Sequence, residues 1–417
     1  MIYGCIGEKL GHSFSREIHA RLFDYDYELC EIPKGELDAF MTKRDFKAIN
    51  VTIPYKLDVI PHLYKISETA KKIGAVNTIV NENGKLYGYN TDFSGLCALI
   101  KRNGIEVKGK KALVLGSGGT SKTANAVLQH LGASEILTVS RAKKDGFITY
   151  GEAKMHHNDA EIIINATPSG MYPNIDGSAV DVTDFPNLSG VVDAVYNPLR
   201  SKLVTDARNK GIKAIGGLYM LVAQGAHAAE KFTGQSVSDE KIEAVYKSLV
   251  LEKQNIVLVG MPGCGKSTIG KILAHDLNMN FVDSDEEIVK KTGKTIPQIF
   301  SEIGESGFRK IESEVISEIA KLSHTVIASG GGAVLDENNT RLLSYNGRIY
   351  FLDRPLSSIE ATSDRPLSSS RADLEKRYNE RYDIYCACAD IHLECTDFAE
   401  ENAEKIKEEF KNEGTCD

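Results

Sequence analysis

Short apolar runs alternate along the chain with segments whose apolar residues recur at helical spacing. Residues 2–6 and 256–259 are two of these runs, and the second is continuous and rich in β-branched residues. A continuous run of this length predicts a strand that is buried on both faces. Residues 269–277 show the helical spacing. The alternation of predicted strands and helices is typical of an α/β protein.

A glycine-rich stretch separates the strand at 256–259 from the helix that begins near 269. Its residues fit G-x-x-x-x-G-K-[ST] at every fixed position. Glycines let backbone N–H groups turn inward to form an anion site, and the helix N-terminus adds partial positive charge. We therefore predict a phosphate-binding loop, although a chance glycine turn is the alternative. We expect Lys266 to reach the β- and γ-phosphates of ATP and the Ser267 hydroxyl to bind Mg²⁺. The predicted nucleotide-binding residues are Gly260, Gly263, Cys264, Gly265, Lys266, Ser267 and Thr268.

Composition narrows the class of protein. The length of 417 residues suggests several domains. The absence of an 18-residue apolar run predicts no membrane span, and the first residues lack a signal-peptide pattern. Eight cysteines without a C-x-x-C pair favour reduced thiols in the cytoplasm, so Cys386 and Cys388 are read as packing residues. The net charge is −8, and the excess of acidic residues lies in the part of the chain after residue 250. We therefore expect no nucleic-acid partner. The sequence does not indicate whether the protein is a monomer or an oligomer.

Polar residues accumulate where predicted strands meet helices in the first hundred residues. Asn50, Thr52 and Lys56 follow one strand, and Asn77 and Asp92 occupy later corners. We expect these corners to form one rim of a parallel sheet, the edge at which α/β proteins bind ligands.

Ordinary structural readings exist for the same residues. Ser13 and Ser15 precede a predicted helix, and a lone serine there is most often a cap. Asp92 precedes another helix and has the same alternative, while a lone Lys56 is usually solvated. The accumulation at several corners nevertheless favours a ligand site.

A second glycine-rich loop follows the strand predicted at 110–115. Gly116, Gly118 and Gly119 fit a dinucleotide-binding loop, but Ser121 holds the place of the last glycine. The next strand ends in Ser140 and Arg141, with Lys143 close behind, where an NAD site would place an acid. Arginine can hold a 2′-phosphate, so these residues favour NADP(H), with basic residues on a solvated turn as the alternative.

Four motifs in this order resemble shikimate dehydrogenase: Ser13-x-Ser15, Asn50-Val-Thr-x-Pro-x-Lys56, Gly74-Ala-Val-Asn77-Thr78 and Asn90-Thr-Asp92-x-x-Gly95. The resemblance covers residues 1–249. It implies that Lys56 stabilises and protonates the developing oxygen anion and that Asp92 orients Lys56. The implied substrate ligands are Ser13, Ser15, Thr52, Asn77, Tyr196 and Gln224, although Tyr196 taken alone reads as a packed core tyrosine. The predicted dinucleotide ligands are Gly116, Gly118, Gly119, Ser140, Arg141, Lys143 and Gly217.

Charged residues recur at motif positions after the phosphate loop. Asp283 and Asp285 lie two apart at a predicted strand end, so we expect their side chains to point the same way, although an acidic helix cap is the alternative. Arg309 and Glu312 lie on one face of a predicted amphipathic helix over residues 305–320, where a surface ion pair is the alternative. Glycines 330–332 offer a close backbone approach to a ligand.

The second set of motifs resembles shikimate kinase: the phosphate loop, Asp283-x-Asp285, Phe308-Arg309-x-x-Glu312, Gly330-Gly-Gly332, Arg365-Pro-Leu and Arg381-x-x-x-Tyr385. The resemblance covers residues 255–410. It implies that Arg309, Gly331 and Arg381 hold a substrate carboxylate, that Asp285 deprotonates a hydroxyl, and that Ser267 and Asp283 bind Mg²⁺. Arg365 would clamp the transferring phosphoryl group. Three serines follow Arg365-Pro-Leu, which departs from the family pattern of the lid.

The sequence thus predicts a substrate-binding α/β domain and a Rossmann NADP domain, followed by a parallel-sheet P-loop kinase domain. The substrate-binding domain is predicted at residues 1–100, with returning helices at 218–249, and the Rossmann domain at 101–217. A linker is predicted at 250–254 and the kinase domain at 255–417. We expect a bifunctional enzyme that reduces 3-dehydroshikimate with NADPH and phosphorylates shikimate with ATP. The alternatives are a quinate-type dehydrogenase fused to a kinase for another hydroxy acid, and a non-catalytic metabolite sensor.

Overall fold

The computed structural model describes residues 2–11, 13–143, 145–359 and 371–413. Contacts divide the chain into a first unit, Met1–Asn197 with Ser201–Tyr246, and a second unit, Pro198–Arg200 with Lys247–Asp417. No helix among the described residues is long and apolar enough to cross a bilayer.

The first unit contains two six-stranded sheets. The strands of the first sheet are β1 (Tyr3–Gly7), β2 (Tyr27–Glu31), β3 (Ala48–Val51), β4 (Lys65–Ile66), β5 (Thr78–Glu82) and β6 (Lys85–Tyr89), in the order β2-β1-β3-β5-β6-β4. The strands of the second are β7 (Lys111–Leu115), β8 (Glu135–Ser140), β9 (Phe147–Thr149), β10 (Ile162–Asn165), β11 (Gly190–Asp193) and β12 (Lys213–Ile215), in the order β12-β11-β10-β7-β8-β9.

The first sheet is mixed, so the expectation of a parallel sheet there is wrong. Strand β5 runs antiparallel to both β3 and β6. The amino end of β5 therefore lies at the edge where β3 and β6 have their carboxyl ends. This reversal brings the residues around Asn77 to the same rim as Thr52 and Asp92. The second sheet is parallel throughout, as a Rossmann domain requires.

Helices cover both sheets of the first unit. They are α1 (Ser15–Leu22), α2 (Leu37–Lys43), α3 (Glu68–Ile73), α4 (Thr91–Arg102), α5 (Gly119–His130), α6 (Tyr150–His156), α7 (Lys202–Arg208) and α8 (Leu218–Thr233). The chain passes from the first unit to the second within α9 (Asp239–Lys253). Helix α8 packs against α1 and α4, so it lies with the first sheet. Residues 250–253, predicted as a linker, form the last turn of α9. The predicted domain boundaries stay predictions.

The second unit is built on one five-stranded parallel sheet. Its strands are β13 (Asn255–Val259), β14 (Asn280–Asp283), β15 (Thr325–Ala328), β16 (Gly347–Asp353) and β17 (Ile391–Glu394), in the order β14-β15-β13-β16-β17. Its helices are α10 (Lys266–Leu277), α11 (Ser284–Thr292), α12 (Ile296–Ile319), α13 (Glu337–Asn346), α14 (Arg371–Cys388) and α15 (Ala399–Glu413). The fold class predicted from the sequence is confirmed.

The continuous apolar run behind the phosphate loop explains the position of β13. All five of its residues are buried, because the strand lies at the centre of the sheet with parallel neighbours on both sides. The amphipathic segment at 305–320 forms most of α12, which is kinked at Gly304, where φ is +69°. The buried β13 thus ends directly at the phosphate loop, at the carboxyl edge of the sheet.

Candidate functional sites

A cavity of about 450 Å³ opens in the first unit at the rim described above. Its walls come from loops of both sheets, including the loops after β10 and β11. The predicted residues that line it are Ser13, Ser15, Thr52, Lys56, Asn77, Asp92, Tyr196, Gly217 and Gln224. The structure thus brings every predicted substrate ligand of this unit into one cavity.

Lys56 and Asp92 form an ion pair in the wall of this cavity. The Lys56 Nζ lies 2.6 Å from Asp92 Oδ2, and both side chains are largely buried. The other carboxylate oxygen of Asp92 accepts a 2.9 Å hydrogen bond from Asn77 Nδ2. The cap of α4 is Asn90, whose Oδ1 accepts from the N–H of Phe93. The readings of Asp92 as a cap and of Lys56 as a solvated lysine are therefore wrong.

The capping alternative is correct in part for Ser13, whose hydroxyl accepts the N–H of Ser15, the first residue of α1, at 3.3 Å, while Phe14 occupies the N-cap position and Ser15 lies inside the helix. The Ser13 hydroxyl donates to the Ser15 hydroxyl at 3.0 Å. The half-buried ring of Tyr196 packs edge-on against Phe14, with centroids 5.2 Å apart, and burial raises its pKa to about 12. Tyr196 therefore stays neutral at physiological pH and presents a hydroxyl to the cavity rather than packing wholly in the core.

Gln224 is buried on α8 and faces the same polar cluster. Its Oε1 accepts from Asn77 Nδ2 at 3.3 Å, and its Nε2 donates to the Leu221 carbonyl at 2.9 Å. Gly95 lets the α4 backbone approach α8, because a Cβ there would lie 2.7 Å from the Met220 carbonyl oxygen. The close packing of α4 on α8 holds Asp92 and Gln224 on the same side of the cavity.

The dinucleotide loop has the geometry that close backbone approach requires. Gly116 has a φ of +112°, and a Cβ there would lie 3.0 Å from Thr167. Gly118 is the N-cap of α5, which leaves the first N–H groups of that helix directed to a ligand. Ser121 is buried, as a small residue at the third motif position must be for helix and sheet to pack. A Cβ on Gly217 would collide with the Ala194 backbone.

The basic residues after β8 have different surroundings. The Ser140 hydroxyl is buried and donates to the Ala142 carbonyl. Lys143 pairs with Glu152, and this bond, with those from Thr149, lowers the pKa of Glu152 to about 2. The exposed Arg141 guanidinium makes no hydrogen bond or ion pair with the described residues. Arg141 therefore fits a phosphate on the dinucleotide, while Lys143 is already engaged.

The second unit has a cavity of about 550 Å³ at the carboxyl edge of its sheet. The predicted residues that line it are Gly263, Gly265, Lys266, Ser267, Thr268, Asp283, Asp285, Arg309, Gly331 and Arg381. Two predicted nucleotide ligands, Gly260 and Cys264, do not line it. Cys264 is buried, and Gly260, at a φ of +145°, lies against the Leu352 carbonyl, where a Cβ would be 2.8 Å away.

Lys266 folds back over the phosphate loop. Its Nζ donates to the carbonyls of Gly260 and Met261 at 2.8 and 2.9 Å. Gly263 and Gly265 both have positive φ, which turns the backbone so that N–H groups face the cavity. A cation held over a loop of N–H groups at a helix N-terminus suits the phosphates of ATP.

Asp283 has two roles in the structure. Its Oδ1 accepts the N–H of Asp285, so the capping alternative is correct for Asp283. Its Oδ2 accepts a 2.5 Å hydrogen bond from the Ser267 hydroxyl. We expected Asp283 and Asp285 to point the same way because they would lie two apart on a strand. This reason is wrong, because Asp285 lies in the first turn of α11, although both side chains reach the cavity. The hydroxyl of Ser267 and the carboxylate of Asp283 are hard oxygen donors, which fit Mg²⁺.

Asp285 lies among negative charges. Burial, then Asp283 and Glu312, raise the pKa of its carboxyl to about 6. Glu312 is only 1% exposed and accepts a 2.6 Å hydrogen bond from Arg309 Nη1. The reading of Arg309 and Glu312 as an ordinary surface pair is therefore wrong, because the buried carboxylate holds the guanidinium at the cavity wall.

Each of the three glycines at 330–332 lies against another residue, which is a charged side chain for Gly330 and Gly332 and the Pro262 ring for Gly331. A Cβ on Gly330 would lie 2.8 Å from both Asp285 Oδ1 and Glu312 Oε1, and one on Gly332 would overlap the Arg309 guanidinium. The carbonyl of Gly331 accepts a 2.9 Å bond from Arg381 Nη1.

Arg381 and Tyr385 hold the Gly331 carbonyl from α14. Tyr385 donates to this carbonyl through its hydroxyl, next to the bond from Arg381, and both side chains are almost fully buried. This places the Arg381 guanidinium at the cavity without solvent around it. Arg365 and the rest of the predicted lid lie outside the described residues.

Several cavity residues were not assigned from the sequence. Asn50 stands at the same strand end as Thr52, and Glu312 was weighed only as the partner of Arg309. Thr167 lines the first cavity, and its hydroxyl is fixed by a 2.6 Å bond to Asn165. Polar residues at strand ends were the available signal for Asn50 and Thr167. The motif Phe308-Arg309-x-x-Glu312 marked the position of Glu312 but not its burial, which depends on distant elements.

Two family models match the chain. The shikimate dehydrogenase substrate binding domain matches residues 5–79, and shikimate kinase matches residues 262–411. Curated relatives of the first part include shikimate dehydrogenases (NADP(+)) from Clostridium perfringens (strain ATCC 13124) and Clostridium beijerinckii. The first is 39% identical, over 60% of this chain and 98% of the relative. The second is 40% identical, over 58% of this chain and 96% of the relative.

Solved structures of shikimate dehydrogenases are also similar to this chain, over 60% of its length. Shikimate dehydrogenase 1 from Peptoclostridium difficile has a TM-score of 0.56 at 36% identity, with 97% of that chain covered. A chorismate mutase/shikimate 5-dehydrogenase fusion protein from Clostridium acetobutylicum has a TM-score of 0.56 at 37% identity, with 96% covered. A shikimate 5-dehydrogenase from Thermus thermophilus, in complex with NADP(H) and shikimate, has a TM-score of 0.54 at 30% identity, with 99% covered.

Proposed function

The chain belongs to the shikimate dehydrogenase family and carries a shikimate kinase domain, and from this premise we propose that it catalyses two consecutive steps. The first unit reduces 3-dehydroshikimate to shikimate, and the second phosphorylates shikimate at its 3-hydroxyl. The chain uses NADP(H) for the first activity and ATP with Mg²⁺ for the second. The proposal is supported by the residues that line the two cavities: a Lys–Asp pair with hydroxyl and amide side chains in the first, and a phosphate loop with two arginines in the second, which suit one small hydroxylated acid.

In the first cavity the side chains manage charge and protons. NADPH, when bound, supplies the hydride. The Lys56 ammonium stabilises negative charge on the substrate oxygen and gives it a proton. Asp92 accepts a 2.6 Å hydrogen bond from Lys56 Nζ, which fixes the position of the amine in the cavity wall. The hydroxyls of Ser13, Ser15 and Thr52, with Asn77, Tyr196 and Gln224, bind the ring acid.

In the second cavity Asp285 is the base that accepts the proton of the attacking hydroxyl. ATP, when bound, supplies the phosphoryl group. Arg309 and Arg381 hold the substrate carboxylate, supported by the buried Glu312 and by the Gly331 carbonyl. Ser267 and Asp283 bind Mg²⁺, and Lys266 neutralises phosphate charge. Arg365, beyond the described residues, would add a second positive charge.

We place this activity in the cytoplasm, with small-molecule substrates as partners and no nucleic-acid or membrane role. The seven cysteines that the structure describes are all free thiols, which a reducing compartment favours.

A coupled assay tests the proposal. Purified chain given 3-dehydroshikimate, NADPH, ATP and Mg²⁺ is expected to produce shikimate 3-phosphate. Omission of ATP should leave shikimate, and omission of NADPH should leave the starting ketone. Consumption of ATP that does not respond to shikimate would contradict the pairing of the two activities. Quinate offered in competition tests the substrate preference of the first unit.

Two neighbouring cations test the cofactor preference. Arg141→Ala is expected to raise the KM for NADPH about tenfold, because one charge-assisted contact to the 2′-phosphate is lost. Lys143→Ala is the matched control and is expected to change this KM by no more than about twofold, because Lys143 is paired with Glu152 at an exposed site. Steady-state kinetics with NADPH and NADH measure both variants. Equal effects on the two coenzymes would show that Arg141 does not bind the phosphate.

A further inference from the structure

Tyr27 lies behind the first cavity and is not part of its wall. It begins β2, is 4% exposed, and its ring stacks on His19 with centroids 3.9 Å apart. Its hydroxyl donates a 2.7 Å hydrogen bond to Asn50 Oδ1. The side chains of Cys5 and Ser15 also interact with this hydroxyl. One buried hydroxyl therefore joins two residues of the cavity wall.

On one side this hydroxyl directs the two serines. The Ser13 hydroxyl donates to the Ser15 oxygen at 3.0 Å, so the Ser15 hydrogen is free to point to Tyr27. Because Tyr27 already donates to Asn50, its oxygen can act as the acceptor for Ser15. The two serine hydroxyls thereby acquire fixed directions.

On the other side the bonds continue to the Lys–Asp pair. With its oxygen held by Tyr27, the Asn50 amide directs Nδ2 to the Thr78 hydroxyl at 3.2 Å. Thr78 in turn donates to Asn77 Oδ1 at 3.0 Å. This fixes the Asn77 amide so that its Nδ2 donates to Asp92 at 2.9 Å. Each bond sets the orientation of the next group, which is how polar networks gain more than the sum of their pairs.

We propose that Tyr27 is a positioning residue for the dehydrogenase, because its hydroxyl orients Ser15 on one side and the Asn50–Thr78–Asn77–Asp92 series on the other. This inference rests on the proposed function of the first unit. It predicts that loss of a single oxygen, with the ring still packed on His19, weakens the binding of the ring acid. The dinucleotide loops contain no member of the series, so cofactor binding should be spared.

Tyr27→Phe tests the proposal through shikimate oxidation with NADP⁺. The kcat/KM for shikimate is expected to fall about tenfold, mainly through KM, since the Asn50 oxygen loses its donor and the Ser15 hydroxyl its acceptor. The KM for NADP⁺ should stay within about twofold of wild type. A double-mutant cycle with Ser15→Ala should be non-additive in the KM for shikimate, because the two hydroxyls act together.

Tyr55→Phe is the matched control. Its hydroxyl is also buried in the first sheet domain, but it donates only to the Ile32 carbonyl, at 2.6 Å. It should lower the melting temperature by a similar amount and leave the KM for shikimate unchanged. The proposal is overturned if Tyr27→Phe and Tyr55→Phe have the same kinetics, or if the KM for NADP⁺ rises as much as that for shikimate. Wild-type chain that fails to oxidise shikimate would instead overturn the proposed function, and this inference with it.

Discussion

Lys56→Ala is expected to lower kcat for shikimate oxidation by about 10²- to 10⁴-fold, the usual contribution of a positioned acid–base group, because in this direction the amine takes up the proton that it gives to the substrate oxygen in the reduction. The amine lies 2.6 Å from Asp92 in a largely buried position, so its removal takes away both the group that exchanges the proton and the group that stabilises charge on the substrate oxygen. It also leaves the Asp92 carboxylate buried without its cation. Rates with saturating shikimate and NADP⁺, measured across pH, give the size of the loss.

The fused chain provides its own control for this variant. The rate of ATP-dependent phosphorylation by the same preparation should be unchanged, which reports that the protein is intact. Lys65→Ala, an exposed lysine on β4 of the same sheet, should keep the wild-type oxidation rate. A Lys56→Ala enzyme with the wild-type rate would show that the Lys–Asp pair is structural.

Many strands, helices and glycine loops of this fold could be predicted from the sequence, because each is specified by residues within a short segment. The buried run at 256–259 and the glycines after it specify a strand and a phosphate loop without reference to the rest of the chain. The Rossmann half follows from the same kind of evidence, a buried strand, Gly116 and the small Ser121. The reversed direction of β5 had no such signal, because strand direction depends on pairing with β3 and β6.

The site was harder to read where a residue has two local uses. Asn90 and Asp92 can both cap α4, and only the position of Lys56, 36 residues earlier in the chain, assigns Asp92 to the ion pair. Asp283 turns out to serve both uses at once. Lys143 is diverted by Glu152 from the role that its sequence position indicated. In each case the competing partner comes from another element, which sequence spacing does not reveal.

Asp285→Asn is expected to abolish most phosphoryl transfer, with kcat lowered by about 10²- to 10⁴-fold. The amide keeps the size of the carboxyl but cannot accept the proton of the substrate hydroxyl. Binding of ATP should persist, because Lys266, Ser267 and the glycine loop do not depend on Asp285. Shikimate oxidation by the same preparation should also persist, since its residues lie in the other unit.

The melting temperature of the Asp285→Asn variant should rise although its kinase rate falls. Asp285 lies with Glu312 against the Gly330 backbone, and burial and the charges of Asp283 and Glu312 disfavour its carboxylate. Asp285→Asn removes that repulsion, so in EDTA the variant should melt at a higher temperature than wild type at pH 8. Asp383→Asn, an exposed carboxylate on α14, is the control and should change neither the kinase rate nor the melting temperature appreciably. A variant that lost activity together with stability would indicate that Asp285 holds the fold of this site rather than serving as its base.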